Sequence, residues 1–134
     1  MNNNETRIPI QRSEDIVTAR ELARGMARTA GFNGSDLTLI ATAISEITRN
    51  IVEHAKRGEL VLSVVCNGSK RGILIVARDE GPGIADVAQA MQYGYSSRNG
   101  LGVGLPGARW LMDEFDIVSK VGKGTTVSMR KWLD

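Results

Sequence analysis

The sequence is poor in cysteine, in aromatic residues and in net charge, and each scarcity excludes a class of protein. The single cysteine, Cys66, cannot form an internal disulfide, and this favours a reducing compartment. Aromatic residues make up 4% of the chain, which leaves no row of rings on which nucleic-acid bases would stack. The net charge is only +2 and the basic residues are scattered, so we expect no nucleic-acid partner.

Long apolar runs are also missing. The best candidate, residues 60–66, is interrupted by Ser63, whereas a membrane helix needs about 20 consecutive apolar residues. Residues 1–5 do not have the charged-then-apolar pattern of a secretion signal. We therefore expect a cytoplasmic protein with no membrane partner, in which residues 1–134 form one domain.

Hydrophobic periodicity predicts helices at residues 13–30, 35–57 and 105–114, ended or opened by glycine and proline. Strands are predicted at residues 7–10, 59–66, 72–78, 115–120 and 125–132, with Asn67-Gly68 and Gly122-Lys123-Gly124 as hairpin turns. Trp110 and Leu111 are expected to pack the last helix against the sheet. This order predicts an α+β fold, a two-layer sandwich of one mostly antiparallel sheet with helices on a single face.

The second helix carries a polar pair beside its apolar stripe of Ile40, Ile44, Ile47 and Ile51. Glu46 and Asn50 are separated by four residues, so their side chains lie on the same flank of the helix. An amide oxygen can bind Mg²⁺ without adding charge, and a carboxylate one turn away can orient a hydroxyl or a water. The alternative is an ordinary solvated flank.

Asp79 follows a predicted buried strand and precedes Gly81, Pro82 and Gly83. A carboxylate held at the end of a sheet can accept a hydrogen bond from the exocyclic amine of adenine, and the glycines remove side chains from beside the ring. The alternative is a turn, which this composition also suits.

A third cluster, Gly100, Gly102 and Gly104, precedes the helix that opens at Leu105, so free N–H groups and the positive helix end can meet phosphate oxygens. Gly102, Gly104 and Gly107 also match the dinucleotide-binding fingerprint. We reject that match because no strand precedes it and no βαβ unit follows. The P-loop pattern is missing from the sequence.

These clusters, together with Gly122-Lys123-Gly124-Thr125, resemble in order and spacing the N, G1, G2 and G3 boxes of the GHKL (Bergerat-fold) ATPase and kinase superfamily. The resemblance covers nearly the whole chain. The segments Ile44-Ser45-Glu46, Arg49-Asn50-Ile51 and residues 102–115 (GVGLPGARWLMDEF) are similar to those of the small serine kinases of bacterial partner-switching systems, in particular the stressosome switch kinases.

The resemblance implies a role for each matching residue. Glu46 would be the catalytic carboxylate, Asn50 would hold Mg²⁺ on the triphosphate, and Asp79 would accept the adenine amine. Thr125 would reach the adenine through water, and Arg98 is a candidate phosphate contact. The remaining ATP-binding positions would floor the base pocket or close over the phosphates: Gly81, Gly83, Ile84, Gly100, Leu101, Gly102, Val103 and Gly104.

The implied function is transfer of the γ-phosphoryl group of ATP to a serine or threonine of a STAS-domain protein, with Mg²⁺ as cofactor. The resemblance also implies a change of partner that activates a PP2C-type phosphatase. The alternative is a nucleotide-dependent regulatory binding module, such as an anti-sigma factor, that acts mainly by protein–protein contact.

Overall fold

The computed structural model describes residues 5–84, 87, 91 and 104–133. Within these residues the helices and strands follow one another in the order β1, α1, α2, β2, β3, α3, β4 and β5. Their bounds are Thr6–Ile10 for β1, Ser13–Ala30 for α1, Ser35–Asn50 for α2, Gly58–Asn67 for β2, Lys70–Asp79 for β3, Gly104–Leu111 for α3, Glu114–Lys120 for β4 and Gly124–Trp132 for β5. In the described part of the chain, no helix is both long and apolar enough to cross a membrane.

The strands form one antiparallel sheet in the order β1-β2-β3-β5-β4, so that β3 lies in the middle and β1 and β4 lie at the edges. The predicted hairpins are confirmed, although the turn of the first is one residue later than expected, because Asn67 pairs with Lys70. Gly68 has a φ of 64°, and a glycine with positive φ at the first turn position suits a two-residue hairpin.

The core lies between the helices and one face of the sheet, as the α+β prediction required. The apolar stripe of Ile40, Ile44 and Ile47 on α2, continued by Ile51, is at most 2% exposed. Alternate residues of the central strands meet it, namely Leu60, Leu62, Ile73, Ile75, Ala77, Val127 and Met129. Truncating a buried isoleucine to alanine typically costs about 2–5 kcal/mol. Burial of this stripe therefore fixes the orientation of α2, and with it the flank of the helix that remains polar.

The second predicted helix is wrong at its end. The α-helix stops at Asn50 and continues as a π-helical turn over Ile51–Ala55, rather than running to Gly58. Lys56 ends the turn with a φ of 73° and donates its N–H to the Ile51 carbonyl oxygen. Such turns are rare and occur frequently at functional sites.

The third predicted helix is also too long, because α3 ends at Leu111 and Glu114 already begins β4. Asp113 stops the helix by donating its N–H to the Arg130 carbonyl and accepting the Trp132 N–H on its carboxylate. The expectation that Trp110 packs against the sheet is wrong, since this side chain is 77% exposed. The buried face of α3 is formed instead by Leu105 and Ala108, and Met112, just after the helix, is buried as well.

Candidate functional site

Asp79 is the last residue of β3, and it is paired on both sides. Its partners in register are Gly58 of β2 and Thr125 of β5. One carboxylate oxygen, Oδ1, accepts the Gly81 N–H at 2.9 Å. Among the described residues, none donates a hydrogen bond to the other oxygen. The carboxylate is therefore held in place through one oxygen, while the second is able to accept from a ligand.

Two glycines allow the neighbouring strands to come close to Asp79. A β-carbon at Gly58 would overlap the Arg78 carbonyl oxygen and would lie 3.0 Å from the β-carbon of Asp79. A β-carbon at Gly124 would overlap the Asp79 carbonyl oxygen. Gly124 was part of a predicted cluster, whereas Gly58 was interpreted only as the end of a helix. Its position opposite Asp79 could not be read from the local sequence.

Gly81 and Gly83, which were predicted to floor the adenine pocket, are both tightly packed against protein. A β-carbon at Gly81 would lie 2.6 Å from the β-carbon of Ala55 in the π-helical turn. Gly83 has a φ of 79°, and a β-carbon there would overlap the Lys120 carbonyl oxygen. The structure thus gives both glycines a packing role, and their contact with a base stays a prediction.

Ser119 of β4 joins the segment after Asp79 to the β4–β5 hairpin. Its hydroxyl accepts the Ile84 N–H at 2.7 Å and donates to the Gly124 carbonyl at 3.2 Å. The same oxygen lies 2.7 Å from the hydroxyl oxygen of Thr125. The Gly122 N–H also donates to the Pro82 carbonyl, at 2.8 Å. The loop carrying Ile84 is therefore tied to the hairpin at more than one point.

Sequence reasoning missed Ser119, although a signal was present. Alternate residues of β4 point to the same face of the sheet, and those facing the core are Phe115, Ile117 and Ser119. A serine in an otherwise apolar row, opposite the predicted site residue Thr125, indicates a buried polar contact. Thr125 itself is only 6% exposed.

Glu46 and Asn50 lie on α2 as expected. The Glu46 side chain is 10% exposed and forms an ion pair with Arg49, with 3.0 Å between Oε2 and Nη1. This pair was not predicted, although a spacing of three residues on a helix allows it. Asn50 is half-buried at the end of α2, and its side chain makes no hydrogen bond with any described residue.

The end of α2 and the end of β3 lie close together. A β-carbon at Gly58 would lie 3.1 Å from the Cγ2 atom of Ile51, the residue after Asn50, and 3.0 Å from the β-carbon of Asp79. Asp79 also shares its face of the sheet with Ala77, which is part of the core under the helices. Asn50 and Asp79 are thus at the same end of the two layers, on the helix side of the sheet.

Part of the predicted site lies outside the described residues, namely Arg98, Gly100, Leu101, Gly102 and Val103. Gly104 is the first residue of α3, which packs beside α2. Over the described ranges, no three side chains of histidine, cysteine, aspartate or glutamate are grouped to hold a metal ion. The role of Asn50 as a ligand of Mg²⁺ stays a prediction; this cation is commonly bound by few side chains together with substrate phosphates.

An open groove of about 830 Å³ lies elsewhere, at the far end of the sheet. It is next to Lys70, the first residue of β3, whereas Asp79 is the last. Ten strand residues separate these ends by roughly 30 Å. The groove is therefore distinct from the candidate site, and its lining is Ser69, Lys70, Arg71, Asp113, Glu114, Trp132 and Leu133.

The chain was compared with models of known protein families. Residues 11–131 match the model of the histidine kinase-like ATPase domain. The chain belongs to this family. The predicted GHKL resemblance and the α+β fold are thereby confirmed, and the family match spans Glu46, Asn50, Asp79 and Thr125.

The proteins similar to this chain include a kinase and anti-sigma factors. The chain is 44% identical over 131 residues to the serine/threonine-protein kinase RsbT of Bacillus subtilis, and the match covers 98% of both chains. It is 30% identical over 130 residues to an anti-sigma F factor of Thermoanaerobacter sp., covering 92% of this chain and 90% of the relative. An anti-sigma F factor of Clostridium novyi is 34% identical over 103 residues, covering 73% and 72%.

Proposed function

We propose that this protein is a serine/threonine kinase that transfers the γ-phosphoryl group of ATP to STAS-domain proteins of a stressosome or partner-switching module. We further propose that it changes partner and activates a PP2C-type phosphatase, and that it acts in the cytoplasm. The enzyme class is that of the Bacillus subtilis relative, which matches almost the whole chain. The structural observation that carries the proposal is the proximity of Asp79, Thr125 and the end of α2.

The base would bind beside Asp79. The carboxylate oxygen of Asp79 that has no partner among the described residues would accept a hydrogen bond from the 6-amino group of adenine. Thr125 would contact the base through water. The segment from Gly81 to Ile84 would line the pocket, because it is held against the hairpin by Ser119. The glycine run before α3 would cover the phosphates with its backbone N–H groups.

Asn50 would bind Mg²⁺ through its side-chain oxygen. An amide whose oxygen accepts nothing from the described residues, at the end of a helix beside the base site, fits this role. Mg²⁺, when bound, neutralises charge on the phosphate oxygens during transfer. Glu46, one turn earlier, would orient the incoming hydroxyl and accept its proton, with Arg49 fixing the direction of the carboxylate.

The first test separates nucleotide binding from phosphoryl transfer. Glu46→Gln keeps the size of the side chain and one acceptor oxygen, but it replaces the charged carboxylate by a neutral amide. We expect unchanged ATP affinity by calorimetry, and a loss of labelled-phosphate transfer to a STAS-domain protein by about 10²–10⁴-fold, the usual contribution of a general base.

The matched control is Glu14→Gln, which makes the same change at an exposed position of α1 and should leave both activities unaltered. Transfer by Glu46→Gln at the rate of the unaltered protein would rule out the catalytic assignment.

A second candidate is a regulatory binding module, which the anti-sigma F factor relatives favour. In that case ATP would serve to set the affinity for a sigma factor, and transfer to a STAS-domain protein would be secondary. Incubating the protein with radiolabelled ATP and a STAS-domain protein, and in parallel with a sigma factor, discriminates the two. Label on the STAS-domain protein supports the kinase. A stable complex with the sigma factor, without label on the STAS-domain protein, supports the binding module.

A further inference from the structure

The hydroxyl of Ser119 makes three contacts, and all three can be hydrogen bonds at the same time in only one arrangement of protons. A backbone N–H can only donate, and a carbonyl oxygen can only accept. In that arrangement Ser119 accepts from Ile84 and gives its single proton to Gly124. The contact with Thr125, at 2.7 Å, is then a hydrogen bond only if Thr125 donates to the second lone pair of Ser119.

This assignment leaves Thr125 with its proton committed. Toward any other group its hydroxyl presents lone pairs alone, so it is an acceptor. Asp79 is its direct neighbour across the β3–β5 pair, and directly opposed residues in a sheet have β-carbons about 4.5–5.5 Å apart. The carboxylate of Asp79 is also an acceptor. This end of the sheet thus presents two adjacent acceptors and no side-chain donor from these two residues.

We propose that Ser119 is a positioning residue that sets the base selectivity of the site. By accepting the Thr125 proton it keeps Thr125 an acceptor, so that a purine with a 6-amino group is favoured over one with a 6-oxo group. The 6-amino group donates to these acceptors, directly or through water, whereas a 6-oxo group places a third acceptor against them. The inference rests on the proposed function, because it requires a nucleotide base beside Asp79.

The test compares the dissociation constants of ATP and inosine 5′-triphosphate, measured by calorimetry in Mg²⁺-containing buffer. The unaltered protein should bind ATP more tightly. In Ser119→Ala the Thr125 hydroxyl loses its acceptor, so it can donate a hydrogen bond to the 6-oxo group. A net hydrogen bond is worth about 1 kcal/mol, which corresponds to about fivefold in affinity. We therefore expect the preference for ATP to fall by about fivefold.

Two variants control for simple loss of structure. Ser128→Ala removes a hydroxyl from the same hairpin, on the opposite face of the sheet, and should keep the preference of the unaltered protein. Ser119→Thr keeps a hydroxyl at the position and should retain most of the preference. The ratio of the two affinities does not depend on how much protein is folded, because both nucleotides bind the same folded molecules.

The outcomes separate this inference from the proposed function. If the unaltered protein binds neither nucleotide, the proposed function fails and the inference fails with it. If it binds ATP preferentially and Ser119→Ala shows the same preference, or if it binds both nucleotides equally, only the inference is overturned. Should Ser119→Ala not fold, Thr125→Val removes the same acceptor, and an unchanged preference in that variant would equally overturn it.

Discussion

Gly83 and Gly122 have almost the same backbone conformation but different surroundings. Their φ angles are 79° and 80°. A β-carbon at Gly83 would overlap the Lys120 carbonyl oxygen, whereas a β-carbon at Gly122 would meet no atom within 4 Å. The two positions therefore separate the cost of placing a side chain at positive φ from the cost of a clash with backbone.

We predict that Gly83→Ala is much more destabilising than Gly122→Ala. Gly122→Ala should lower the free energy of unfolding by about 1–2 kcal/mol, the cost of a left-handed conformation for an ordinary residue. Gly83→Ala adds the clash with Lys120, and it should also weaken ATP binding because it displaces the segment that carries Ile84. Urea denaturation measures the first effect and calorimetry the second. Equal losses of stability in the two variants would contradict the assigned packing.

Individual site residues differ in how far the sequence predicts them. Three of the four motifs predict the side chains at positions 46, 50, 79 and 125, because each motif is a local pattern of residue types. The ion pair of Glu46 with Arg49 and the hydroxyl contact of Ser119 with Thr125 depend on rotamers and strand register. The exposure of Trp110 could not be predicted from the sequence either, because only the packing of α3 reveals which side of this short helix is exposed.

At the level of elements, the end of α2 illustrates what periodicity cannot predict. The spacing of Ile40, Ile44, Ile47 and Ile51 is that of one continuous helix, and all are buried. The change to a π-helical turn after Asn50 adds one residue to the turn, which hydrophobic spacing over so short a segment does not reveal. The turn brings Ala55 against Gly81, so it helps to set the position of the Asp79 segment relative to Asn50.

The start of α1 gives a prediction for the dependence of stability on pH. The carboxylate of Asp15 accepts the N–H groups of Gln11 at 2.8 Å and Arg12 at 3.1 Å. These hydrogen bonds, the Gln11 bond first, lower the pKa of Asp15 below its usual value of 3.8. A lowered folded-state pKa contributes stability above the unfolded value, and that stability is lost as the pH falls through the folded value.

We therefore expect Asp15→Asn to be less stable than the unaltered protein at pH 7, with the difference shrinking below pH 3.8. The physical reason is that a protonated aspartate and an asparagine interact similarly with the two N–H groups. Urea denaturation over a range of pH provides the measurement. Glu14→Gln, in the same helical turn, serves as the control and should show little effect. A difference that does not vary with pH would argue against these hydrogen bonds.

At the scale of the whole molecule, the order of the strands determines which residues lie together at the candidate site. Each hairpin was predicted from its own turn, and both are confirmed. The pairing of β3 with β5 joins residues more than forty positions apart, and no local pattern specifies it. This pairing brings Thr125 beside Asp79, so the proposed base site would be completed only when the two hairpins share one sheet. The order of the predicted elements indicated the two-layer α+β architecture, and the family resemblance implied the same fold.

Because the site joins the sheet to the end of α2, nucleotide binding should stabilise the entire fold. A ligand at 100 times its dissociation constant adds about 2.7 kcal/mol to the free energy of unfolding, which for a chain of 134 residues raises Tm by about 10 °C.

We expect ATP with Mg²⁺ to produce this shift in thermal denaturation, and Asp79→Asn to lose most of it, because the amide NH₂ group would oppose the 6-amino donor of adenine. Asp116→Asn, the same change at an exposed position of β4, should keep the full shift. A full shift in Asp79→Asn would mean that the base binds elsewhere, and the roles of Thr125 and Ser119 would fall with that of Asp79.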